Sequence, residues 1–165
     1  MLGLSSARKR FPDAQLVGAV GSPPTRSRLM EAAESAGFGF STLIHPRVER
    51  SRWLAVGAGT VVCAGSILTT NILLGRHVHI NPGCTIGHDT VLGDFTTLTP
   101  GVHVAGWVRI GRCVYVGTGA VIINGTESTP LEIGDNVVIG AGACVTESVA
   151  PNSTVVGVPA KPIVR

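Results

Sequence analysis

The sequence predicts a mainly β protein whose chain winds as a parallel β-helix, a prism of short stacked strands. The first observation behind this prediction is an apolar residue at every sixth position. Twelve consecutive positions of this kind are valine, isoleucine or leucine: Val56, Val62, Leu68, Leu74, Ile80, Ile86, Leu92, Leu98, Val104, Ile110, Val116 and Ile122. The second observation is the composition, with 22 glycines but only two tryptophans, one tyrosine and four phenylalanines among 165 residues. A narrow core of aliphatic side chains fits this composition better than a sandwich built on aromatic residues.

A period of six matches neither a helix nor an alternating strand, so it indicates a chain that turns a corner after every short strand. Three corners make a triangular coil of about 18 residues, and twelve units make about four coils, stacked about 4.8 Å apart. The sixth-position apolar residue points to the axis. The fifth residue of each unit, such as Thr60, Cys84 or Thr96, is small or β-branched and fills the space beside it. The glycine that often follows the apolar residue, as at Gly57 and Gly93, is expected to let the backbone bend.

Residues 1–48 are predicted to form a partial βαβ segment, and residues 49–165 the β-helix with a C-terminal tail. The apolar run Leu16–Val20 predicts a strand, which the sequence Gly-Ser-Pro-Pro at residues 21–24 ends. Thr25 can cap a helix over residues 26–36, which Gly37 stops, and residues 38–44 predict a second strand. A nucleotide-binding domain of this kind begins with another strand and a glycine-rich turn, so the segment is interpreted as truncated.

The repeat is interrupted once. Ile122 and Ile133 are eleven residues apart instead of six, and the anchors then resume at Ile139 and Val145. A loop over residues 124–132 is therefore predicted to leave one corner of the coil, where such loops often grip ligands. The tail that ends near Lys161 leaves the period.

Charge and cysteine usage predict a cytoplasmic protein that binds neither nucleic acid nor membranes. The net charge of +3 is weak and scattered. The four widely spaced cysteines, Cys63, Cys84, Cys113 and Cys144, are interpreted as free thiols. The uncharged stretch Trp53–Leu74 is long enough to span a bilayer, but the six-residue pattern runs through it without a break and argues against membrane insertion.

Three motifs resemble those of the hexapeptide-repeat acyltransferases. They are Leu-Ile-His-Pro at residues 43–46, Ile-Asn-Pro-Gly-Cys-Thr-Ile-Gly-His-Asp at residues 80–89, and Gly-Val-Pro-Ala-Lys at residues 157–161. The most similar subgroup is the bacterial acetyltransferases that modify nucleotide-linked 4-amino sugars or sialic acid. The resemblance implies a left-handed β-helix that assembles as a homotrimer and uses acetyl-coenzyme A (acetyl-CoA) without a metal. Outward valines and Tyr115 agree with a trimer, since a single prism would expose them: Val61, Val91, Val108 and Val121.

The resemblance also implies roles for individual residues. His88 corresponds to the general base and Asp89 to the acidic residue beside it. Imidazole, with an ordinary pKa near 6.5, can take the proton that a sugar amine or hydroxyl loses as it attacks a thioester. The acceptor sugar is expected at Asn81, Gly21 and Ser22. The acetyl-CoA path is expected to be lined by a further set: Thr97, Gly106, Gly117, Thr118, Ala141 and Lys161.

Several alternatives stay open at the level of sequence. A zinc enzyme of the carbonic anhydrase type would need three converging histidines, for which His77, His79, His88 and His103 are candidates, although His77 is expected at the surface. A trimeric scaffold without catalysis is the third reading. The first strand, glycine-rich turn and first helix of the subgroup's sugar-nucleotide domain are absent, and Ser22 stands where the subgroup usually has Asp or Asn. Either the start codon is placed too far downstream, or the enzyme is truncated and has a smaller or different acceptor. The acceptor sugar and the choice between N- and O-acetylation are likewise open.

Overall fold

The computed structural model describes residues 3–163, in which three sheets of parallel strands wrap one apolar core. Sheet I has eight strands: Leu43–Ile44, Val61–Val62, His79–Ile80, Thr97–Leu98, Tyr115–Val116, Val138–Ile139, Thr154–Val156 and Lys161–Pro162. Sheet II has six: Glu49–Arg50, Ile67–Leu68, Thr85–Ile86, His103–Val104, Val121–Ile122 and Cys144–Val145. Sheet III has five: Leu54–Val56, Ile72–Leu74, Val91–Leu92, Val108–Ile110 and Leu131–Ile133. The chain passes from sheet I to II to III and back, so the predicted parallel β-helix is confirmed.

The core consists of the predicted sixth-position residues. Eleven of the twelve are buried, and Val56, in the first coil, is half-buried against the same cluster. The fifth residues of the units are also buried, and several hydroxyls there bond to the backbone of the next coil. Thr60 Oγ1 donates to the carbonyl of Gly75 at 2.8 Å, and Thr96 Oγ1 to that of Gly111 at 2.7 Å. Each coil is thereby held to the next by side chains as well as by the strand ladder.

The prediction that the glycine after each apolar residue makes the bend is wrong. The bend comes from the fourth residue of each unit, which has positive φ whether it is glycine, as at Gly83, or not, as at Asn71 and Asp89. The glycines that follow the apolar residues serve close stacking instead. A Cβ on Gly93 would lie 2.5 Å from the backbone carbon of Gly111 in the next coil. These positions are therefore restricted by contact between coils and not by backbone curvature.

The N-terminal segment differs from the prediction in its element bounds. The helix begins earlier, at Pro23–Ser35 (α2), with Ser22 and not Thr25 at its N-cap. The first strand covers only Gln15–Leu16 and pairs with Gly39–Phe40. Leu43–Ile44, predicted as part of that second strand, pairs with Val61–Val62 in sheet I, so the ladder of the β-helix begins before the predicted boundary at residue 49. A short helix, Leu4–Arg10 (α1), was not predicted.

Two further segments complete the chain. Residues 123–130 form the predicted loop, which leaves the corner between sheets II and III and returns as the strand at Leu131. The strand Lys161–Pro162 turns back antiparallel to Thr154–Val156. All four cysteines are free thiols. Within residues 3–163, neither helix has the length and apolar character needed to cross a bilayer.

Candidate active site

His88 and Asp89 lie side by side at the corner between sheets II and III. His88 Nδ1 is 2.8 Å from Asp89 Oδ2, and the imidazole is 53% exposed. When the carboxylate accepts the proton of Nδ1, the neutral ring presents a lone pair at Nε2. Nε2 faces Gly106 one coil further along, where a Cβ would lie only 2.6 Å away. Glycine at 106 therefore leaves room for the ring, which a side chain at this position would displace.

The stacking of coils fixes the carboxylate that holds the ring. Asp89 has a φ of 56°, and its amide donates to the carbonyl of Thr70 at 3.1 Å. Asn71, at the same corner in the preceding coil, donates from Nδ2 to Asp89 Oδ1 at 3.2 Å. One carboxylate oxygen thus faces Asn71 while the other faces His88. This arrangement favours a single ring orientation and tautomer.

The repeat unit that begins at Ile122, which the loop interrupts, lies at the same corner two coils beyond His88. Trp107 sets its ring edge-on to His88, with centroids 6.1 Å apart. The loop over residues 123–130 is anchored by backbone bonds, from Gly125 to the carbonyl of Gly106 at 3.1 Å and from Leu131 to that of Trp107 at 3.0 Å. The predicted ligand-gripping loop and the predicted base therefore share one corner of the prism.

The predicted acceptor residues meet elsewhere, around a cavity of about 780 Å³ between α2 and sheet I. Asn81, Gly21 and Ser22 all line it, together with nine other residues: Pro23, Pro24, Thr97, Thr99, Pro100, Cys113, Tyr115, Asn136 and Val138. Asn81 Nδ2 donates to the carbonyl of Leu98 at 2.8 Å, which orients the amide. The walls carry amide and hydroxyl groups but no charged side chain, and they suit a polar ligand group with apolar edges.

The residues predicted to line the acetyl-CoA path lie at different corners of the prism. Gly106 lies at the His88 corner, whereas Gly117, Thr118 and Ala141 lie at the corner between sheets I and II, the corner that Asn81 occupies in an earlier coil. A Cβ on Gly117 would be 2.4 Å from the amide nitrogen of Ala141, so close stacking alone requires glycine there.

Two more of these residues have local partners. Thr97 is 1% exposed and lines the acceptor cavity, with its hydroxyl bonded inside the protein and not open to a coenzyme. Lys161 lies near the end of sheet I, with Nζ 3.8 Å from Glu147 Oε2.

Within one chain, the predicted base and the predicted acceptor residues thus lie on different surfaces of the prism. His88, Asp89 and Gly106 stand at the corner between sheets II and III, while Asn81 and the acceptor cavity lie on sheet I and at its corner with sheet II. Since the filled prism separates these surfaces, a single chain does not bring the base to its predicted acceptor residues.

His77 departs from the expectation of solvent exposure, and His79 is also partly buried. His77 is 1% exposed and sandwiched between Phe40 and Phe95, with ring centroids 4.5 and 4.9 Å away. Burial, followed by the charges of Arg76 and Arg26, lowers its pKa. Burial chiefly, and Arg26 next, lowers the pKa of His79 to about 4. Both rings lie beneath the N-terminal segment, whose docking onto sheet I the sequence did not predict. His103 is exposed and bonds through Nδ1 to Thr85 Oγ1 at 2.8 Å.

The histidines do not converge. His88 lies at the corner between sheets II and III, His103 on sheet II, and His77 and His79 under the N-terminal segment. Across residues 3–163, no three His, Cys, Asp or Glu side chains come close enough together to hold a metal ion. The positions of the histidines give no support to the hypothesis of a zinc enzyme.

Comparison with known proteins places these features in context. No protein-family model matches the chain. The GDP-perosamine N-acetyltransferase of Escherichia coli O157:H7 is 35% identical over 147 residues, which cover 89% of this chain and 66% of that protein. This chain therefore spans about two thirds of the length of that relative.

Solved structures of acetyltransferases are also similar to this chain. A histidine-to-asparagine variant of the perosamine N-acetyltransferase from Caulobacter crescentus, in complex with CoA and GDP-perosamine, superposes with a TM-score of 0.92 at 30% identity, covering 98% of this chain and 74% of that one. The acetyltransferase domain of PglB from Neisseria gonorrhoeae FA1090, in complex with acetyl-CoA, gives a TM-score of 0.84 at 34% identity over 90% of this chain and 70% of that one. These likenesses confirm the predicted left-handed β-helix acetyltransferase fold.

Proposed function

Because the chain belongs to the hexapeptide-repeat acetyltransferases that act on nucleotide-linked sugars, we propose that it moves an acetyl group from acetyl-CoA to an amino group of such a sugar. The Escherichia coli and Caulobacter crescentus proteins named above are perosamine N-acetyltransferases, which favours an amine over a hydroxyl as the acceptor. GDP-linked 4-amino sugars are the first acceptors to test. We place the reaction in the cytoplasm, in the synthesis of surface glycans.

The proposal rests on the pair of His88 and Asp89, in which an exposed imidazole holds Nε2 over Gly106, a residue without a side chain. The amine nitrogen attacks the thioester carbonyl carbon and loses a proton, which Nε2 accepts. The carbon–sulfur bond then breaks, and the thiolate of CoA leaves and is protonated. Asp89 keeps Nδ1 protonated and stabilises the imidazolium that forms, so the pair performs general base catalysis without a metal.

We further propose that the active form is a homotrimer in which the acceptor cavity of one subunit faces His88 of the next. The separation of the two clusters on different faces of one prism supports this assembly. So do exposed apolar side chains on the outer surface, among them Leu43 at 51%, Tyr115 at 36% and Val121 at 38% exposure. Val108, which the sequence placed on that surface, is fully buried and contributes nothing to it.

Mixed subunits test both parts of the proposal. His88→Ala and an acceptor-cavity variant, Asn81→Leu, are each expected to be inactive. When the two are co-expressed and purified together, about a quarter of the subunit interfaces should combine an intact His88 with an intact Asn81. Acetyl transfer to a GDP-linked 4-amino sugar should then return. If the separate variants are inactive and the mixture stays inactive despite proven mixing, sites shared between subunits are ruled out.

A second readout separates an enzyme from a scaffold. Calorimetric titration of the wild-type protein with acetyl-CoA should show saturable binding. Absence of binding by a correctly assembled trimer would favour the scaffold reading.

A further inference from the structure

A completely buried arginine lies beside the acceptor cavity. Arg26, in the first turns of α2, is 0% exposed, and within residues 3–163 its guanidinium forms no ion pair with a carboxylate. Burial lowers its pKa to about 10, so the group is still charged at neutral pH. A buried charge without a counter-ion is costly, and an apolar residue would fill the same space with less penalty. Its presence therefore calls for an explanation beyond packing.

The guanidinium is satisfied by six acceptors that belong to both sides of the cavity. On sheet I and the corner before it, it donates to the carbonyls of His77, Phe95 and Thr96 at 3.0, 2.6 and 3.3 Å, and to Thr97 Oγ1 at 3.0 Å. On the N-terminal segment it donates to the carbonyls of Val20 and Gly21 at 2.7 and 3.4 Å.

Thr97 closes this network. Its hydroxyl, which accepts from Arg26, donates to the carbonyl of Gly21 at 3.1 Å. Two donors on one carbonyl define both the height and the orientation of the Gly21 turn above sheet I.

Packing alone does not hold that turn. A Cβ built on Gly21 would meet nothing within 4 Å, so no neighbouring atoms constrain the backbone from that side. Pro23 opens α2 and Pro24 follows it, and neither has an amide proton to donate. Ser22 makes no side-chain capping bond to the helix backbone, and its hydroxyl donates only to Thr25 Oγ1, at 3.2 Å. The hydrogen bonds from Arg26 and Thr97 are thus the contacts that fix the Gly21 carbonyl.

Docking of α2 does not depend on Arg26 alone. Arg112 bonds to Ser27 and Glu31 at 2.8 Å each, and Arg76 pairs with Glu34 at 2.7 Å. These contacts tie the same helix to the prism without touching the cavity wall, because neither arginine lines it.

We propose that Arg26 is a positioning residue for acetyl transfer: through the Gly21 carbonyl and the Thr97 hydroxyl it sets the wall of the acceptor cavity. This role rests on the function proposed above. Arg26 does not touch the acceptor itself. It holds the turn over Gly21 and Ser22 so that the amino sugar enters in one orientation. Loss of this support should raise the KM for the acceptor and leave the affinity for acetyl-CoA unchanged.

The test compares three variants. Arg26→Lys keeps the charge but cannot reach six acceptors, and Thr97→Val removes the bridging hydroxyl at nearly constant volume. Arg76→Ala is the matched control, because it loosens α2 without touching the Gly21 turn. Hydrogen exchange of the amide at position 26, which donates to the carbonyl of Ser22 at 2.9 Å, reports the order of the turn without any acceptor. We expect exchange at least tenfold faster in Arg26→Lys and Thr97→Val, and unchanged in Arg76→Ala.

The kinetic arm uses GDP-perosamine as acceptor. Arg26→Lys and Thr97→Val should each raise its KM about tenfold or more, and the double variant should be little worse than either single one, since both act on one carbonyl. If exchange is unchanged in folded Arg26→Lys or Thr97→Val, or if exchange rises while the acceptor KM stays within twofold, the positioning role is refuted. If the wild type transfers no acetyl group, the function proposed above fails instead, and the exchange measurement still decides whether Arg26 orders the turn.

Discussion

The variant Gly106→Ala tests the position of the His88 ring while keeping the imidazole itself. The added methyl group would lie 2.6 Å from Nε2, 2.7 Å from Cε1 and 3.0 Å from Cδ2 of His88. Ordinary contact between such atoms is about 3.5 Å, so the ring must move by nearly 1 Å or rotate. Either movement disturbs the 2.8 Å contact between His88 Nδ1 and Asp89 Oδ2. A misplacement of about 1 Å costs on the order of 10² in rate, which is the expected drop in kcat.

The assay measures kcat by CoA release and acetyl-CoA affinity by calorimetry. Stability should change little, because His88 is at an exposed corner and Gly106 does not have positive φ. If Gly106 acts through His88, the double variant His88→Ala/Gly106→Ala should be no slower than His88→Ala alone. A kcat within threefold of wild type would show that the position of the His88 ring does not limit acetyl transfer. A loss of acetyl-CoA affinity at unchanged kcat would show instead that Gly106 contacts the coenzyme.

Three further outcomes are expected. Gly93→Ala should destabilise the fold by about 1–3 kcal/mol in denaturant unfolding, since its Cβ would press on the backbone of Gly111; an unchanged midpoint would contradict this stacking role. Lys161→Glu should weaken acetyl-CoA binding at low ionic strength if Lys161 meets the 3′-phosphate, and Glu147→Gln serves as the control that removes only its 3.8 Å partner. Because the pKa of His79 is lowered to about 4 in the folded state, the unfolded state binds more protons between about pH 6.5 and 4, and stability should fall as the pH falls through this window. Folded His79→Gln should lose part of this dependence in thermal melts, and an identical pH profile would contradict the cause given.

The β-helix could be predicted because its core repeats. A sixth-position aliphatic residue must reach the axis in every coil, so one periodic signal defines sheets, core and corners together. The part played by glycine was predicted incorrectly. Composition shows glycine after the apolar residue, but whether Gly93 serves curvature or contact depends on the atoms of the next coil, and the residue with positive φ at such a corner can equally be Asn71 or Asp89.

The docking of the N-terminal segment was not predictable from local pattern. His77 lies at the corner between sheets III and I, where the equivalent residues Phe95 and Cys113 are also buried, and Phe40 and Arg26 reach it from remote sequence. Helix α1 is short and its only strong signal is a basic last turn at residues 8–10, which sequence alone does not distinguish from a charged loop.

The site was predicted in its parts and not in its arrangement. The adjacency of His88 and Asp89 follows from a corner at which consecutive residues point outward. The distance of that corner from Asn81 and Gly21 follows from the order of the three sheets, which no single motif contains. Thr97 was predicted to line the coenzyme path, and the structure instead gives its hydroxyl two partners at the acceptor cavity.

We propose that His88 is the general base for acetyl transfer to a sugar amine. The most direct measurement is single-turnover transfer from acetyl-CoA to GDP-perosamine by wild type and by His88→Ala, followed as N-acetylated product. Wild type should convert the acceptor, and His88→Ala should be about 10²- to 10⁴-fold slower with acetyl-CoA affinity nearly intact. Transfer by His88→Ala at close to the wild-type rate would contradict the claim.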